Sequence, residues 1–173
     1  MPDWDEIVGE HGQLVWRTAY RLLGNHADAS DCFQETFVSA LSAAGREKVE
    51  NWGGFLLRLA TARALDRLRH RRRQSGRGES LDEAVVACPA PGPHRMAECN
   101  ELDEQIRQAL AELPPKQAEA ICLHYLDRSS YKEVGKHLGI AGNAVGSLLH
   151  RARAGLRRAL GPVASGRESG GAR

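Results

Sequence analysis

The sequence lacks the features that announce most enzymes. It holds no nucleophile elbow, P-loop, HExxH or paired-carboxylate pattern, so no enzymatic activity is expected. Its four cysteines, Cys32, Cys88, Cys99 and Cys122, form no CxxC pair, and scattered thiols of this kind stay reduced in the cytosol. Cys88, His94 and Cys99 sit at a spacing that matches no common zinc pattern, so neither a metal nor a cofactor is expected. No apolar run approaches the roughly 20 residues of a membrane span. The opening MPDWDEIVGEHG is acidic and lacks the apolar centre of a secretion signal. A cytoplasmic chain with no membrane span is therefore expected. Excess charge is missing too. The 24 Lys and Arg stand against 22 Asp and Glu, a net charge of +2, so a nucleic-acid partner would have to be met by a local patch. Strand patterns and long internal repeats are absent, which leaves helices.

What is present is helical periodicity in two blocks. The expected fold is all-α, with two small helical domains, an N-terminal four-helix domain and a C-terminal helix-turn-helix domain, joined by a flexible linker. The first domain covers residues 1–73 and the linker residues 74–97, where PAPGP and neighbouring Gly and Ser break every pattern. The second domain covers residues 98–160, and the Gly-rich tail 161–173 is expected to be disordered.

In the first block Leu14, Val15, Ala19, Leu22 and Leu23 form one stripe. Asn25 and Asp28 then supply turn and cap chemistry. A second helix, from about Ala29 to Ala44, has Phe33, Phe37, Leu41 and Ala44 as its expected core face. The next helix, WGGFLLRLATARALDRLRHRRR, is apolar nearly all round in its first half, which predicts a central, buried position. In the second block Leu102, Ile106, Ala109, Leu110 and Leu113 end at Pro114-Pro115, where one helix closes and the next opens.

The stretch YKEVGKHLGIAGNAVGSLLH is rich in glycine, which costs roughly 1 kcal/mol in a helix interior. Read as helix, turn, helix, Gly135 allows a close crossing and Gly139 a left-handed stop. Ile140 plugs the turn, with Val134, Leu138, Val145 and Leu148 facing inward. This is the register of a DNA-reading helix-turn-helix. The second helix carries Arg151, Arg153, Arg157 and Arg158 and no acid, which suits phosphate contact. Its outward residues, Asn143, Ala144, Ser147, His150 and Arg151, would meet base edges in a major groove. Gly142 and Gly146 have no packing role in this reading and would let the backbone approach the groove.

Residues 63–77 hold seven arginines against one acid, Asp66, beside the polar loop GREKVENWG. Arg63, Arg67 and Arg69 with Asn51 and Trp52 form a candidate grip for single-stranded DNA, the aromatic face taking a base. The alternative is that Trp52 anchors the core. Asp28, Asp31 and Glu35 are spaced three and four apart and share one helix face, with Gln34 at its border. Such an acidic stripe suits a basic protein partner, or else is an ordinary wet surface.

With these residues in view, the chain resembles a bacterial RNA polymerase sigma factor of the extracytoplasmic-function group in the sigma-70 family. DASDCFQETFVSAL is similar to that family's core-binding helix, with Asp31, Gln34, Glu35 and Phe37 at its patterned positions. FLLRLATARALDRLRHRRR is similar to the helix behind the −10 element, and residues 109–160 to the −35-binding domain. The resemblance covers about residues 10–73 and 102–160. It implies a transcription initiation factor that binds core RNA polymerase through its β and β′ subunits and directs it to promoter DNA. The −35 element would be read as duplex by Asn143, Ala144, Ser147, His150, Arg151 and Arg153. The −10 element would be read as melted strand by Asn51, Trp52, Arg63, Arg67 and Arg69. Asp28, Asp31, Gln34 and Glu35 would contact core polymerase, and an anti-sigma factor is a partner that members of the family commonly have. The chain departs from the family at Ala62, where Asn is usual, and at Gly146 and Leu148, where basic residues are usual; losing both basic residues would weaken or re-aim the −35 contact. A stand-alone helix-turn-helix regulator is the alternative reading.

Overall fold

The computed structural model describes residues 3–46, 48–76 and 93–161, with side chains from Asn100 onward in the last segment. All regular structure among the described residues is helical. The first half contains α1 (Trp4–Leu23), α2 (His26–Ala44) and α3 (Trp52–Ser75), three helices where four were expected. The reason is that α1 is continuous. Asp3 Oδ1 accepts hydrogen bonds from the backbone N–H groups of Asp5 and Glu6, at 3.0 and 3.2 Å, and starts the helix ten residues before the apolar stripe becomes obvious. Ile7 adds an early turn to the same buried face as Val15, Ala19, Leu22 and Leu23. Gly24, with φ +75°, stops α1, and Asn25 starts α2 by accepting from the Asp28 N–H at 2.8 Å.

The buried face of α2 differs from the expectation. Ala29, Cys32, Thr36 and Ala40 are buried, Phe33 and Phe37 are half-buried at its border, and Leu41 is 56% exposed. Small side chains let α2 approach its neighbours closely, and the two phenylalanines then pack from the side. The Thr36 hydroxyl is satisfied internally, donating to the Cys32 carbonyl at 2.7 Å. In α3 Leu56, Leu57, Ala60, Thr61, Ala64, Leu65 and Leu68 are all buried, so this helix is central as its composition predicts.

The second half contains α4 (Pro93–Glu112), α5 (Pro115–Ile121), a π-helical turn (Cys122–Leu126), α6 (Tyr131–Leu138) and α7 (Gly142–Leu160). Helix α4 begins inside the stretch expected to be linker. Residues 77–92 of that stretch, Cys88 among them, and the expected tail from residue 162 lie outside the described residues, as do the side chains of His94 and Cys99. Ser130 and Glu133 form a reciprocal capping box at the start of α6, worth about 1 kcal/mol.

One apolar cluster runs through both halves, joining Leu22, Leu57, Leu65 and Leu68 to Leu110, Leu113, Ile121 and Leu149. Polar contacts cross the same seam. Arg107 Nε donates to the Leu22 carbonyl at 3.0 Å, Arg21 to the Leu126 carbonyl at 2.6 Å, and Arg72 pairs with Glu112 at 2.7 Å. A second cluster belongs to the first half alone, with Ile7, Val15, Ala40, Leu56 and Ala60 walled by Trp4, Trp52, Phe33, Phe37 and Phe55.

Candidate nucleic-acid and docking surfaces

The helix-turn-helix has the geometry its glycines demand. Val134 and Leu138 of α6 and Val145 and Leu148 of α7 are buried. A Cβ on Gly135 would stand 2.8 Å from the Ile140 carbonyl oxygen, so the turn passes directly over this position. Gly139 has φ +63°, the left-handed stop, and Ile140 packs against the core. Asn143, Ala144, Ser147, His150, Arg151 and Arg153 all lie exposed on α7. No side chain caps the start of α7; the Ala144 N–H donates to the Ala141 carbonyl at 2.9 Å, which leaves the N–H groups of Gly142 and Asn143 without a side-chain partner. Among the described residues, Arg151, Arg153, Arg157 and Arg158 have no carboxylate partner; Arg151 bonds only to its own helix at the Ser147 carbonyl, 3.4 Å away.

Two of the departures have structural explanations. Leu148 is buried, so its side chain belongs to the core of the helix-turn-helix and not to the outer face. Gly146 is half-buried, and a Cβ there would meet the Tyr131 ring at 3.6 Å, an ordinary contact. Gly146 thus has a packing neighbour, which the sequence reading did not supply. A Cβ on Gly142 would meet nothing within 4 Å, although its backbone passes 3.4 Å from where a Cβ on Gly135 would stand.

The arginines of α3 do not converge. Arg63 donates to the Ser39 hydroxyl at 2.9 Å and lines a shallow groove with Asp31, Gln34, Glu35 and Val38 of α2. Arg67 faces the same helix. Its Nη2 lies 2.6 Å from Glu35 Oε1, and its Nη1 lies 3.4 Å from Asp28 Oδ1 and 3.6 Å from Asp31 Oδ2. Arg71 pairs with Asp28 as well. Arg69 lies on the other side of α3, paired with Asp66 at 3.0 Å and close to Arg72, Arg73 and Ala111. The candidate single-strand grip is therefore split. Arg67 and Arg69 turn toward carboxylates because α2 and the preceding turn of α3 offer them within reach.

Asn51 caps α3, accepting from the Gly54 N–H at 3.0 Å. Trp52 is half-buried, edge-on to Trp4 at 5.3 Å and to Phe55 at 6.0 Å. It forms part of the aromatic wall of the core, so of the two readings of this residue the anchor describes its packing. The Asp28, Asp31, Gln34, Glu35 face is assembled as the spacing predicts, with exposed Val38 and Leu41 extending it by an apolar strip that the sequence reading missed.

Also missed was the seam between the halves. The π-helical turn delivers Asp127 to α1, where its Oδ1 accepts from the Thr18 hydroxyl at 3.4 Å and faces Arg21 at 3.8 Å. Burial pushes the Asp127 carboxyl up, against the opposing pull of Arg21 and Thr18. Glu119 is pushed up by burial too, opposed by Arg58 and Arg69 of α3. The His137 ring sits over Gly54, where a Cβ would stand 2.7 Å from it, and burial with Arg58 nearby holds its pKa below the ordinary value. Cys32 and Cys122 are buried thiols, Cys32 pushed up to about 11 by burial, which makes both poor nucleophiles.

Comparison with known proteins follows the same division. Residues 7–74 match the family model "Sigma-70 region 2" and residues 103–156 the model "Sigma-70, region 4". The chain is 38% identical over 159 residues to the ECF RNA polymerase sigma factor SigE of Mycolicibacterium smegmatis, across 91% of this chain and 61% of that protein. It is 30% identical over 167 residues to the ECF RNA polymerase sigma factor SigW of Bacillus subtilis, across 90% of this chain and 87% of that one. Among solved structures, the sigma factor RpoE crystallised with the anti-sigma factor NepR from Bartonella quintana shares the fold, with a TM-score of 0.57 and 23% identity over 92% of this chain and 98% of that one.

Proposed function

The chain belongs to the extracytoplasmic-function group of RNA polymerase sigma factors, which direct the polymerase to promoters, and from that premise we propose a division of labour between its two halves. Helix α7 enters the major groove of the −35 duplex. Asn143, Ala144, Ser147 and His150 meet base edges, while Arg151 and Arg153 hold phosphates. The acidic face of α2, with Asp28, Asp31, Gln34 and Glu35, docks on basic surfaces of the core β and β′ subunits. The first domain, residues 1–73, engages the melted −10 strand near the Asn51–Trp52 loop, with Arg63 as its most accessible candidate among the arginines named for that role. Residues 74–97 act as the linker to the second domain at 98–160, with residues 161–173 as the tail. The chain itself performs no chemistry; it works beside a polymerase that does, in the cytoplasm. An anti-sigma factor is a further partner, as one accompanies the Bartonella sigma factor of the same fold.

The observation that carries this reading is the outer face of α7. It is exposed, bears arginines without carboxylate partners among the described residues, and follows a turn too tight for any side chain at Gly135. The test is a promoter-binding titration of the purified chain with and without core polymerase, followed by run-off transcription. Tight promoter binding and start-site choice are expected only when core is present. Core-independent binding to an inverted repeat would instead identify a stand-alone regulator.

A further inference from the structure

The acidic face of α2 is not bare. Asp28 is held from two sides, by Arg67 and by Arg71, and has a quarter of its side chain exposed. Asp31 and Glu35 are open, 63% and 49% exposed, and both face the same Arg67 guanidinium. Arg67 itself is only 24% exposed, and its Nε is buried with no hydrogen-bond partner. One cation, reaching across from α3, thus faces three carboxylates of the surface that the reading above assigns to polymerase.

The contacts are unequal. Only the 2.6 Å approach to Glu35 has good hydrogen-bond length; those to Asp28 and Asp31, at 3.4 and 3.6 Å, are electrostatic contacts with slack. Partly exposed pairs of this kind contribute little, so an incoming cation can replace them at small cost. Arg67 nevertheless lowers the negative potential that a basic partner senses at a distance.

Resting on the proposed docking role of α2, we infer that Arg67 is an internal counter-ion for that face, competing with the cations of core polymerase for Asp31 and Glu35. Its role is then on the protein-docking side of α3, not on the DNA side. When polymerase docks, its basic groups take over Asp31 and Glu35, and Arg67 keeps Asp28. The intramolecular pair sets how strongly and how fast the chain is recruited.

The experiment measures association rate and affinity of the full chain for purified core polymerase at low and high salt. Arg67→Gln is expected to raise the low-salt association rate by at least about threefold, with the gain fading at high salt as charges are screened. Promoter opening at saturating core separates this role from the −10 contact that the family resemblance implies for Arg67, and opening equal to the wild type supports the docking-side assignment. A lower or unchanged rate would overturn the inference, as would weaker promoter opening at saturating core. Should Arg67→Gln fail to fold, Arg67→Met serves instead, since it removes the charge while keeping most of the buried stem. A gain of the same sign supports the inference, and no gain or a loss overturns it. Glu35→Lys separates the two levels. If it leaves core affinity intact, the docking role of α2 fails; if it abolishes binding while the Arg67 variants give no gain, only the counter-ion falls.

Discussion

Helix α3 turns Arg67, Arg69, Arg71 and Arg72 toward carboxylates, and helix α7 leaves its arginines in water. On α3, Arg67 and Arg71 face the carboxylates of α2, Arg69 pairs with Asp66, and Arg72 reaches Glu112. On α7, Arg151, Arg153, Arg157 and Arg158 meet no carboxylate among the described residues. The cause lies in the neighbours. Helix α3 packs beside an acidic stripe, whereas α7 carries no acid at all. Two arginine-rich helices that look alike in sequence thus have different electrostatic work: one neutralises a protein surface, the other remains available for phosphate. Packing differs in the same way. The first half is walled by large rings, Trp4, Trp52, Phe33, Phe37 and Phe55. The second brings the short α6 against α7 at a small residue, Gly135.

The comparison can be broken most directly at the acids. Asp31→Lys with Glu35→Lys is expected to weaken core binding by at least tenfold, about 1.4 kcal/mol or more, since like charges then face the partner. A fluorescence titration with core polymerase measures it, and unchanged affinity would deny the acidic face its role. Next in size is the turn. Gly135→Val forces side-chain atoms against the Ile140 carbonyl and is expected to cost about 1–3 kcal/mol in denaturant unfolding. Gly146→Ala, facing only the Tyr131 ring at contact distance, is expected to be neutral or to stabilise by up to about 1 kcal/mol. Equal losses at both sites would contradict the packing described.

The arginine contrast predicts salt behaviour. Arg151→Ala with Arg153→Ala is expected to make the slope of log affinity against log salt shallower by about 2 for promoter binding by the holoenzyme. Arg67→Gln is expected to leave that slope alone. An unchanged slope in the α7 double variant would remove that helix from the DNA interface. The smallest effect concerns the seam between the halves. His137 has a pKa held below its ordinary 6.5 by burial and by Arg58, so the folded state takes up its proton less readily than the unfolded chain. Its stabilising contribution is complete above pH 6.5 and is lost as pH falls through the lowered folded value. Melting curves recorded on both sides of pH 6.5 should show this loss in the wild type and a flatter dependence in His137→Gln.

Much of this was legible in the residues. The buried character of α3, the inner face of the helix-turn-helix and the stop at Gly139 followed from apolar spacing and glycine placement, because local backbone rules act at short range. The core face of α2 was not legible. Phe33, Phe37 and Leu41 look like core, yet the helices approach through Ala29, Cys32, Thr36 and Ala40, and size alone does not say which stripe is closer to a neighbour. The aim of Arg63, Arg67 and Arg69 was equally hidden, since it depends on where α2 lies beside α3. Leu148 and Gly146 looked like lost DNA contacts until α6 supplied their neighbours.

The order of residues alone determined which segments coil, where they stop, and that one C-terminal helix carries cations with no acid of its own, because propensity, capping and charge run along the chain. Only the packed structure decided which arginines meet carboxylates and which, among the described residues, do not, and how Asp127 ties the second half to the first. Those outcomes depend on distances between residues far apart in sequence, and burial and Coulomb energy respond to distance in space.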